Sequence, residues 1–263
     1  MKQRIITAII AGIPLIFLVI IGGIPFTVLS MLLSLVAASE LLKMKNIRHF
    51  SPLGMIGFLL TFIIVMPEQW YTQIFPFFES KSDGLLLALL LLLVLTVLTK
   101  NRISFNEISF VLMSALYVGF GFYFFYLTRA IENGLPLFFF VLFNIWATDS
   151  GAYFIGRAFG KRKLWPEISP KKTIEGAIGG IVSAVILSII FQFVYPLFSI
   201  PYVIVIAIII AVFGQLGDLV ESALKRHYGV KDSGNILPGH GGILDRFDSL
   251  IFVLPVLHLF NLI

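Results

Sequence analysis

Cysteine is absent from this sequence of 263 residues, and charged residues make up only 13% of it. Without cysteine there is no disulfide, no thiolate metal ligand and no cysteine nucleophile. A typical soluble domain is about a quarter charged and about half apolar, whereas apolar residues reach 59% here. This composition excludes a soluble globular fold. The sequence also has no linker and no low-complexity tract, so we expect no separate soluble domain.

Apolar runs recur along the whole chain, and about nine of them are long enough to approach the ~20 residues of a transmembrane helix. They predict an all-α, polytopic integral membrane protein. The predicted spans are 5–22, 25–43, 52–66, 84–99, 107–128, 136–155, 174–195, 201–221 and 247–262. The first span resembles a signal peptide but is followed by no small-residue cleavage site, so we expect it to be retained. We expect segment 67–83, which is rich in aromatic residues, to be an interfacial loop.

Basic residues are distributed unevenly over the predicted loops. If the N-terminus and every second loop share one side, that side holds all 19 Lys and Arg residues except Lys81 and Arg129, and it includes Lys2 and Arg4. Because cytoplasmic loops are enriched in Lys and Arg, the N-terminus is predicted to be cytoplasmic and the C-terminus extracytoplasmic. This bias and anionic substrates account for the sequence pI of about 9.4, so nucleic acid is not expected as a partner.

The polar content of the predicted spans changes near residue 135. Residues 1–135 consist mostly of plain apolar helices, which are candidates for packing and for dimer contacts. Residues 136–263 hold nearly all the polar groups that fall inside predicted spans. Ionisable residues inside a membrane are costly and are by default candidates for function. We therefore expect the catalytic region in residues 136–263.

Two polar segments lie near the predicted cytoplasmic ends of spans six and seven. Asp149 interrupts an apolar helix, and it is either a carboxylate of a site or a side chain hydrogen-bonded to a neighbouring helix. Lys171 and Lys172 follow Pro170, where we expect a helix to begin. A helix N-terminus attracts phosphate through its free N–H groups and its dipole. We therefore predict that both lysines bind phosphate.

The end of the eighth span carries the strongest cluster. Its members Asp218, Glu221, Ser222 and Lys225 are spaced at i, i+3, i+4 and i+7, which places them on one face of a helix. Two carboxylates and a hydroxyl at a membrane edge suit a hard cation such as Mg²⁺. An amphipathic helix end is the alternative, but it explains poorly why Asp218 lies about two turns from the basic end.

A glycine-rich loop around His240 follows this cluster. Gly241 and Gly242 give the backbone freedom to wrap a phosphate or to approach a ligand closely. Asp245 and Asp248 then share one face at the start of the ninth span. Together with the cluster on the eighth span, they predict a site for Mg²⁺ and a polyphosphate at the membrane edge.

The residues just described resemble the signature of phosphatidate cytidylyltransferases, also called CDP-diacylglycerol synthases. The shared positions are Ser222, Leu224, Lys225, Arg226, Lys231, Asp232, Gly234, Leu237, Pro238, His240, Gly241, Gly242, Ile243, Asp245, Arg246, Phe247 and Asp248. Segments 149–153 and 169–176 also resemble family segments. The resemblance covers the C-terminal half well and the N-terminal half only in hydropathy.

The resemblance implies that CTP and phosphatidate react to give CDP-diacylglycerol and pyrophosphate. It also implies Mg²⁺, a homodimer and the inner membrane of a bacterium. Composition and spacing identify neither cytosine nor diacylglycerol, and they leave a second cation open.

The predicted roles follow from an in-line attack of a lipid phosphate oxygen on the α-phosphorus of CTP. Catalysis would then rest on positioning and on charge neutralisation. The predicted metal ligands are Asp218 and Asp245, with Glu221, Asp248 and Asp149 around them. Asp218, Asp245, Lys225, Arg226 and His240 are the predicted catalytic residues. The predicted phosphate-binding residues are Lys171, Lys172, Ser222, Lys231, Arg246, Gly241 and Gly242.

Three alternatives stay open from sequence alone. The enzyme could use another lipid phosphate, or it could be a CTP-dependent lipid kinase. A transporter of a phosphorylated solute is disfavoured, because transporters place their polar groups near the midplane of repeated halves.

We also expect Gly176, Gly179 and Gly180 to leave a groove beside the site through which the lipid enters.

Overall fold

The structure is a computed structural model that describes residues 2–263, apart from the side chains of residues 2–5 and 8. The side chains of Lys2 and Arg4, which we counted among the basic residues on the predicted cytoplasmic side, therefore lie outside the described residues. The helices are α1 Lys2–Ile21, α2 Gly23–Met44, α3 Pro52–Val65, α4 Glu68–Ile74, α5 Lys81–Leu98, α6 Phe105–Ala130, α7 Gly134–Phe159, α8 Ile174–Val194, α9 Ile200–His227 and α10 Leu244–Leu259. The strands are β1 Lys163–Trp165 and β2 Ser169–Thr173.

The predicted class, a polytopic all-α membrane protein, is confirmed. Each predicted span overlaps one helix. In the described part of the chain, α2 and α5 to α9 make six helices that are long and apolar enough to cross a membrane. The apolar part of α1, Ile9–Ile21, and helix α3 are shorter. The number of spans and the sides on which the termini lie stay predictions.

Two elements depart from the expectations. The short helix α4 lies within segment 67–83, which we expected to be a loop. Residues 163–173 form an antiparallel hairpin in which Lys163 pairs with Thr173 and Trp165 with Ser169. The Glu175 carboxylate closes the hairpin by accepting hydrogen bonds from the backbone N–H of Lys161 at 3.0 Å and of Arg162 at 3.2 Å.

The chain forms two compact units. Unit 1 comprises Met1–Tyr126 and Asp232–Asp245, and unit 2 comprises Leu127–Lys231 and Arg246–Ile263. The glycine-rich loop thus belongs to unit 1 with the N-terminal helices, which a division at residue 135 does not anticipate. The functional division at residue 135 stays a prediction.

Unit 1 is held together by close apolar packing among α2, α3, α5 and α6. Leu42, Leu60, Leu92, Ile108 and Val111 belong to one buried cluster. Protein interiors pack as densely as organic crystals, so such a cluster fixes the relative positions of its helices. This packing gives the buried side of α2 a rigid setting.

Unit 2 is built around a close contact between α7 and α8 that depends on glycine. A Cβ atom on Gly176 would lie 2.8 Å from the carbonyl oxygen of Ala152, and one on Gly180 would lie 2.8 Å from that of Thr148. Small residues let helix backbones approach in membranes. The contact brings the polar segment of α7 against the hairpin and the start of α8.

Candidate active site

A pocket of about 360 Å³ lies among α7, β2, α8 and α9 in unit 2. Its wall carries both cationic and carboxylate side chains. The polar residues on the wall are Asp149, Tyr153, Arg157, Lys171, Lys172, Thr173, Gln215 and Asp218. Four of them, Asp149, Lys171, Lys172 and Asp218, were predicted from sequence, so the fold brings together side chains from three separate segments.

Asp218 and Lys172 form an ion pair on the pocket wall. Lys172 Nζ lies 2.7 Å from Asp218 Oδ2, and the side chains are 25% and 35% exposed, respectively. Ser222 Oγ donates a hydrogen bond to Asp218 Oδ1 at 3.3 Å. Because water weakens a partly exposed pair, either partner can exchange the other for a ligand at small cost. A predicted metal ligand and a predicted phosphate-binding residue thus meet in one place.

Asp149 and Asp248 accompany Asp218. The three carboxylates lie close enough for their charges to interact. Arg246 interacts with Asp149, and Lys225 interacts with Asp248. Like charges gathered in this way favour the binding of a cation.

The carboxylates fit Mg²⁺ in their chemistry. Among the described residues, no three Asp, Glu or His side chains converge as a preformed metal site. Mg²⁺, however, is usually held by one or two carboxylates and by substrate phosphates. Asp218, which already faces the Lys172 ammonium, can offer its oxygen to a metal ion in the same position.

Glu221 and Lys225 face each other instead of the pocket. Lys225 Nζ lies 2.5 Å from Glu221 Oε2, and the Glu221 side chain is only 1% exposed. Breaking a buried ion pair strands a charge in an apolar setting and is strongly unfavourable. The i, i+4 spacing pairs Asp218 with Ser222 and Glu221 with Lys225, and a single functional face for all four stays a prediction. The metal role of Glu221 and the substrate role of Lys225 stay predictions.

The two predicted phosphate-binding lysines lie in a strand, which differs from the expected helix start. Lys171 and Lys172 belong to β2, and α8 begins only after Thr173. Thr173 caps the helix, because its hydroxyl accepts a hydrogen bond from the backbone N–H of Gly176 at 3.1 Å. The lysines therefore reach the pocket through the hairpin rather than from a first helical turn.

Arg157 is a pocket residue that the sequence analysis counted only as a topological charge. It lines the pocket, and its Nη1 donates a hydrogen bond to the hydroxyl of Tyr153 at 3.4 Å. Asp149, Tyr153 and Arg157 follow one another at i, i+4 and i+8, which is a row along one side of a helix. That spacing was the signal by which Arg157 could have been found.

In unit 1, Asp245 organises the glycine-rich loop. Its Oδ2 accepts hydrogen bonds from the backbone N–H of Ser233 and of Gly242, both at 2.8 Å, and from Ser233 Oγ at 2.9 Å. Gly241 has a φ of +89°, a conformation that glycine adopts without strain. These contacts give Asp245 and both glycines a structural purpose, while their metal and phosphate roles stay predictions.

The other predicted residues of the loop region differ in their exposure. Arg226, Lys231 and Arg246 are exposed, and Arg226 Nη1 donates to the carbonyl oxygen of Val230 at 3.2 Å. His240 Nδ1 is buried without a hydrogen-bond partner in the described part of the chain. A buried ring nitrogen without a partner is rare and is compatible with a ligand contact.

Glu40 is a buried carboxylate that the sequence analysis did not single out. It lies near the end of α2 and is 4% exposed. Ser233 Oγ and the backbone N–H groups of Ile243 and Leu244 donate hydrogen bonds to it. Residues 1–135 were predicted to be mostly plain apolar helices, and Glu40 is a polar exception among them. A single Glu within an apolar run was the available signal.

The expected lipid groove beside α8 stays a prediction, because its three glycines lie in different settings. Gly176, Gly179 and Gly180 are buried, and a Cβ atom on Gly179 would lie 2.6 Å from Ile155 Cβ. Gly179 and Gly180 contact α7, whereas Gly176 also lines the pocket. Substitutions at Gly179 and Gly180 would therefore disturb helix packing rather than lipid entry alone.

Known proteins match this chain over nearly its full length. A family model described as "Cytidylyltransferase family" matches residues 2–263. A phosphatidate cytidylyltransferase of Bacillus subtilis (strain 168) is 53% identical over 265 residues, which cover 98% of this chain and 96% of the relative. The phosphatidate cytidylyltransferase of Staphylococcus haemolyticus (strain JCSC1435) is 47% identical over 263 residues, or 98% of each chain. With a match of this extent around a pocket of carboxylates and cations, the chain belongs to the cytidylyltransferase family.

Proposed function

We propose that this protein is a nucleotidyltransferase that makes CDP-diacylglycerol and pyrophosphate from CTP and phosphatidate. The family membership and the names of the relatives support the activity. The observation that carries the assignment to a site is the Lys172–Asp218 pair in the pocket of unit 2. It offers a cation for phosphate and a carboxylate for metal in one cavity that is large enough for part of a nucleotide.

The proposed reaction is a direct displacement at phosphorus. An oxygen of the lipid phosphate forms a bond to the α-phosphorus of CTP, and the bond from that phosphorus to the oxygen that bridges it to the β-phosphate breaks. Pyrophosphate leaves with the electron pair of the broken bond. Because lipid phosphate is ionised at neutral pH, no strong general base is required, and catalysis rests on positioning and electrostatics.

The cationic side chains of the pocket hold the two anionic substrates. Arg157, Lys171 and Lys172 line it together. An arginine grips phosphate through two parallel hydrogen bonds, and a lysine acts as a mobile point charge. Asp218, Asp149 and Asp248 would hold Mg²⁺, which supplies charge neutralisation at the phosphates when bound. Release of Lys172 from Asp218 would free its ammonium for substrate.

The membrane setting places further conditions on the site. Each CH₂ that leaves the bilayer costs about 0.8 kcal/mol, so phosphatidate stays in the membrane and presents its phosphate at headgroup depth. We propose a cytoplasmic site in the inner membrane of a bacterium and a homodimeric assembly. Size-exclusion chromatography with light scattering in detergent, where the protein mass is separated from the micelle mass, tests the dimer.

The activity is tested with the purified protein in lipid nanodiscs that contain phosphatidate. CTP labelled at the α-phosphate should transfer its label to the lipid in the presence of Mg²⁺, and CTP labelled at the γ-phosphate should release its label as pyrophosphate. Label that passes from the γ-phosphate into lipid would instead identify a lipid kinase. Transfer only to an isoprenoid ether lipid phosphate would identify a different acceptor. Either result would overturn the proposal.

A further inference from the structure

The carboxylate of Glu40 is fitted closely into the glycine-rich loop of unit 1. Its Oε1 accepts a hydrogen bond from the backbone N–H of Ile243 at 2.8 Å, and its Oε2 accepts one from that of Leu244 at 2.9 Å. These two N–H groups lie where α10 begins, at a helix end whose N–H groups lack partners within the helix. Glu40 thus caps α10 from another helix, and its negative charge opposes the positive end of the helix dipole.

The same carboxylate reaches Asp245 through one serine. Ser233 is 4% exposed, and its hydroxyl lies 2.8 Å from Glu40 Oε2 and 2.9 Å from Asp245 Oδ2. The backbone N–H of Ser233 also donates to Asp245 Oδ2 at 2.8 Å. Because a hydroxyl carries one proton, Ser233 can donate to only one carboxylate at a time. It therefore links the positions of the two acids.

Two glycines make room for Glu40. A Cβ atom on Gly234 would lie 2.6 Å from Glu40 Oε1, and one on Gly242 would collide with both Glu40 and Ser233. Real Cβ atoms do not approach an oxygen so closely, so any side chain at either position would force the loop away from the carboxylate. The backbone of the loop is therefore shaped around Glu40.

We propose that Glu40 is a positioning residue, which holds the loop 232–245 and thereby orients Asp245 for the reaction. This inference rests on the proposed function and on the metal role that the sequence predicts for Asp245. Glu40 acts through Ser233 and through the start of α10, and it need not touch a substrate. The N-terminal helices thus take part in catalysis by fixing the loop.

Substitution of Glu40 by Gln tests the charge with little change in shape. In either orientation of the amide, one backbone N–H of Ile243 or Leu244 faces an NH₂ group, so one hydrogen bond is lost and two donors oppose each other. Ser233→Ala removes the link between the acids and a long hydrogen bond from the Asp245 N–H to Ser233 Oγ at 3.4 Å, but it leaves both Glu40 contacts to the start of α10 in place. It is the second variant to measure if Glu40→Gln fails to fold. Ser34→Ala is the matched control. Ser34 is equally buried on α2, and its hydroxyl bonds only to the carbonyl oxygen of Met31 among the described contacts.

The experiment combines hydrogen exchange, thermal unfolding and Mg²⁺-dependent turnover on the full-length protein in nanodiscs. We expect Glu40→Gln to speed amide exchange across residues 233–244, to lower kcat about tenfold or more through misplacement of Asp245, and to raise the Mg²⁺ concentration needed for half-maximal rate. Ser233→Ala should give the same pattern at smaller size, and Ser34→Ala should change none of the three.

Three outcomes would overturn the proposal. Equal effects of Glu40→Gln and Ser34→Ala would reduce Glu40 to a packing residue. A loss of turnover that only follows the loss of folded protein, with unchanged exchange and Mg²⁺ dependence, would do the same. A wild-type protein that transfers no cytidylyl group would refute the proposed function and any catalytic consequence of Glu40. The exchange data would then still decide whether Glu40 holds the loop.

Discussion

Asp218 and Asp245 are the same residue type in two different settings, one in each unit. Asp218 is partly exposed on a pocket wall, and its Oδ2 faces the partly exposed ammonium of Lys172. Asp245 directs its Oδ2 at two backbone N–H groups and a buried hydroxyl. The first arrangement can change partners when a ligand arrives, and the second fixes the backbone. Two predicted metal ligands of the same residue type can therefore differ in their contacts, which only their hydrogen-bond partners reveal.

The largest expected effect follows from Asp218→Asn. Loss of one metal–oxygen charge contact should cost at least about 3 kcal/mol in the transition state, or roughly 100-fold in rate. The unfolding temperature should hardly change, because the side chain is partly exposed. Steady-state transfer from α-labelled CTP measures the rate, and Glu132→Gln on an exposed acid is the control. Near-normal turnover at limiting Mg²⁺ would remove Asp218 from the site.

Asp245→Asn should differ by affecting stability as well as turnover. An amide in place of the carboxylate leaves a buried backbone donor poorly satisfied, which costs about 1–3 kcal/mol. We expect a lower unfolding temperature in detergent and faster amide exchange in residues 233–242, neither of which Asp218→Asn should produce. Equal unfolding temperatures for the two variants would show that the hydrogen bonds of Asp245 stabilise the fold no more than the contacts of Asp218 do.

Gly179→Leu should act on the packing of unit 2. The added side chain would overlap Ile155 on α7, and overpacking of this kind costs typically about 1–3 kcal/mol. The unfolding temperature should fall, and KM for CTP and KM for phosphatidate should rise together. Gly12→Leu, at a position where nothing lies within 4 Å of an added Cβ, is the control. A selective rise in KM for phosphatidate at unchanged stability would support the predicted lipid groove instead.

Lys172→Ala should have the smallest effect, about tenfold on KM for CTP or phosphatidate, which corresponds to about 1.4 kcal/mol. The ammonium contributes one charge contact among several cations in the pocket, so the others compensate in part. Lys161→Ala is the matched control, since Lys161 lies at the exposed base of the same hairpin and outside the pocket lining. Equal KM values for the two variants would show that Lys172 does not bind substrate and serves only as a basic residue that sets membrane orientation.

Much of the fold could be predicted because apolar length and spacing are local properties of the chain. Each predicted span overlaps a helix, and the face shared by Asp218 and Ser222 follows from helical periodicity. The hairpin was missed because two short strands have little periodicity of their own, and Glu175 stabilises them from the next helix. Pro170 favoured a helix start, but proline, which has no backbone N–H, equally suits a strand position that donates no hydrogen bond to a neighbouring strand.

The partners of each carboxylate could not be predicted, because they depend on contacts between distant segments. Glu40 and Ser233 are separated by 193 positions, and no spacing rule connects them. Likewise, the pairing of Lys172 with Asp218 requires both the hairpin and the end of α9. Glycines raised a similar problem. Their freedom predicted a close approach, but it could not identify the neighbours, which are Ile155 of α7 at Gly179 and the Glu40 carboxylate at Gly242.

Nucleotide binding in the pocket of unit 2 can be measured by hydrogen exchange with and without CTP and Mg²⁺ in nanodiscs. We expect slower exchange in residues 163–176 when CTP binds, because phosphate contacts from Lys171 and Lys172 rigidify the hairpin. Lys172→Ala should weaken this protection. Another basic pocket, formed by Lys43 to Ser51, serves as the internal comparison. Protection confined to residues 43–51, with an unchanged hairpin, would contradict the account.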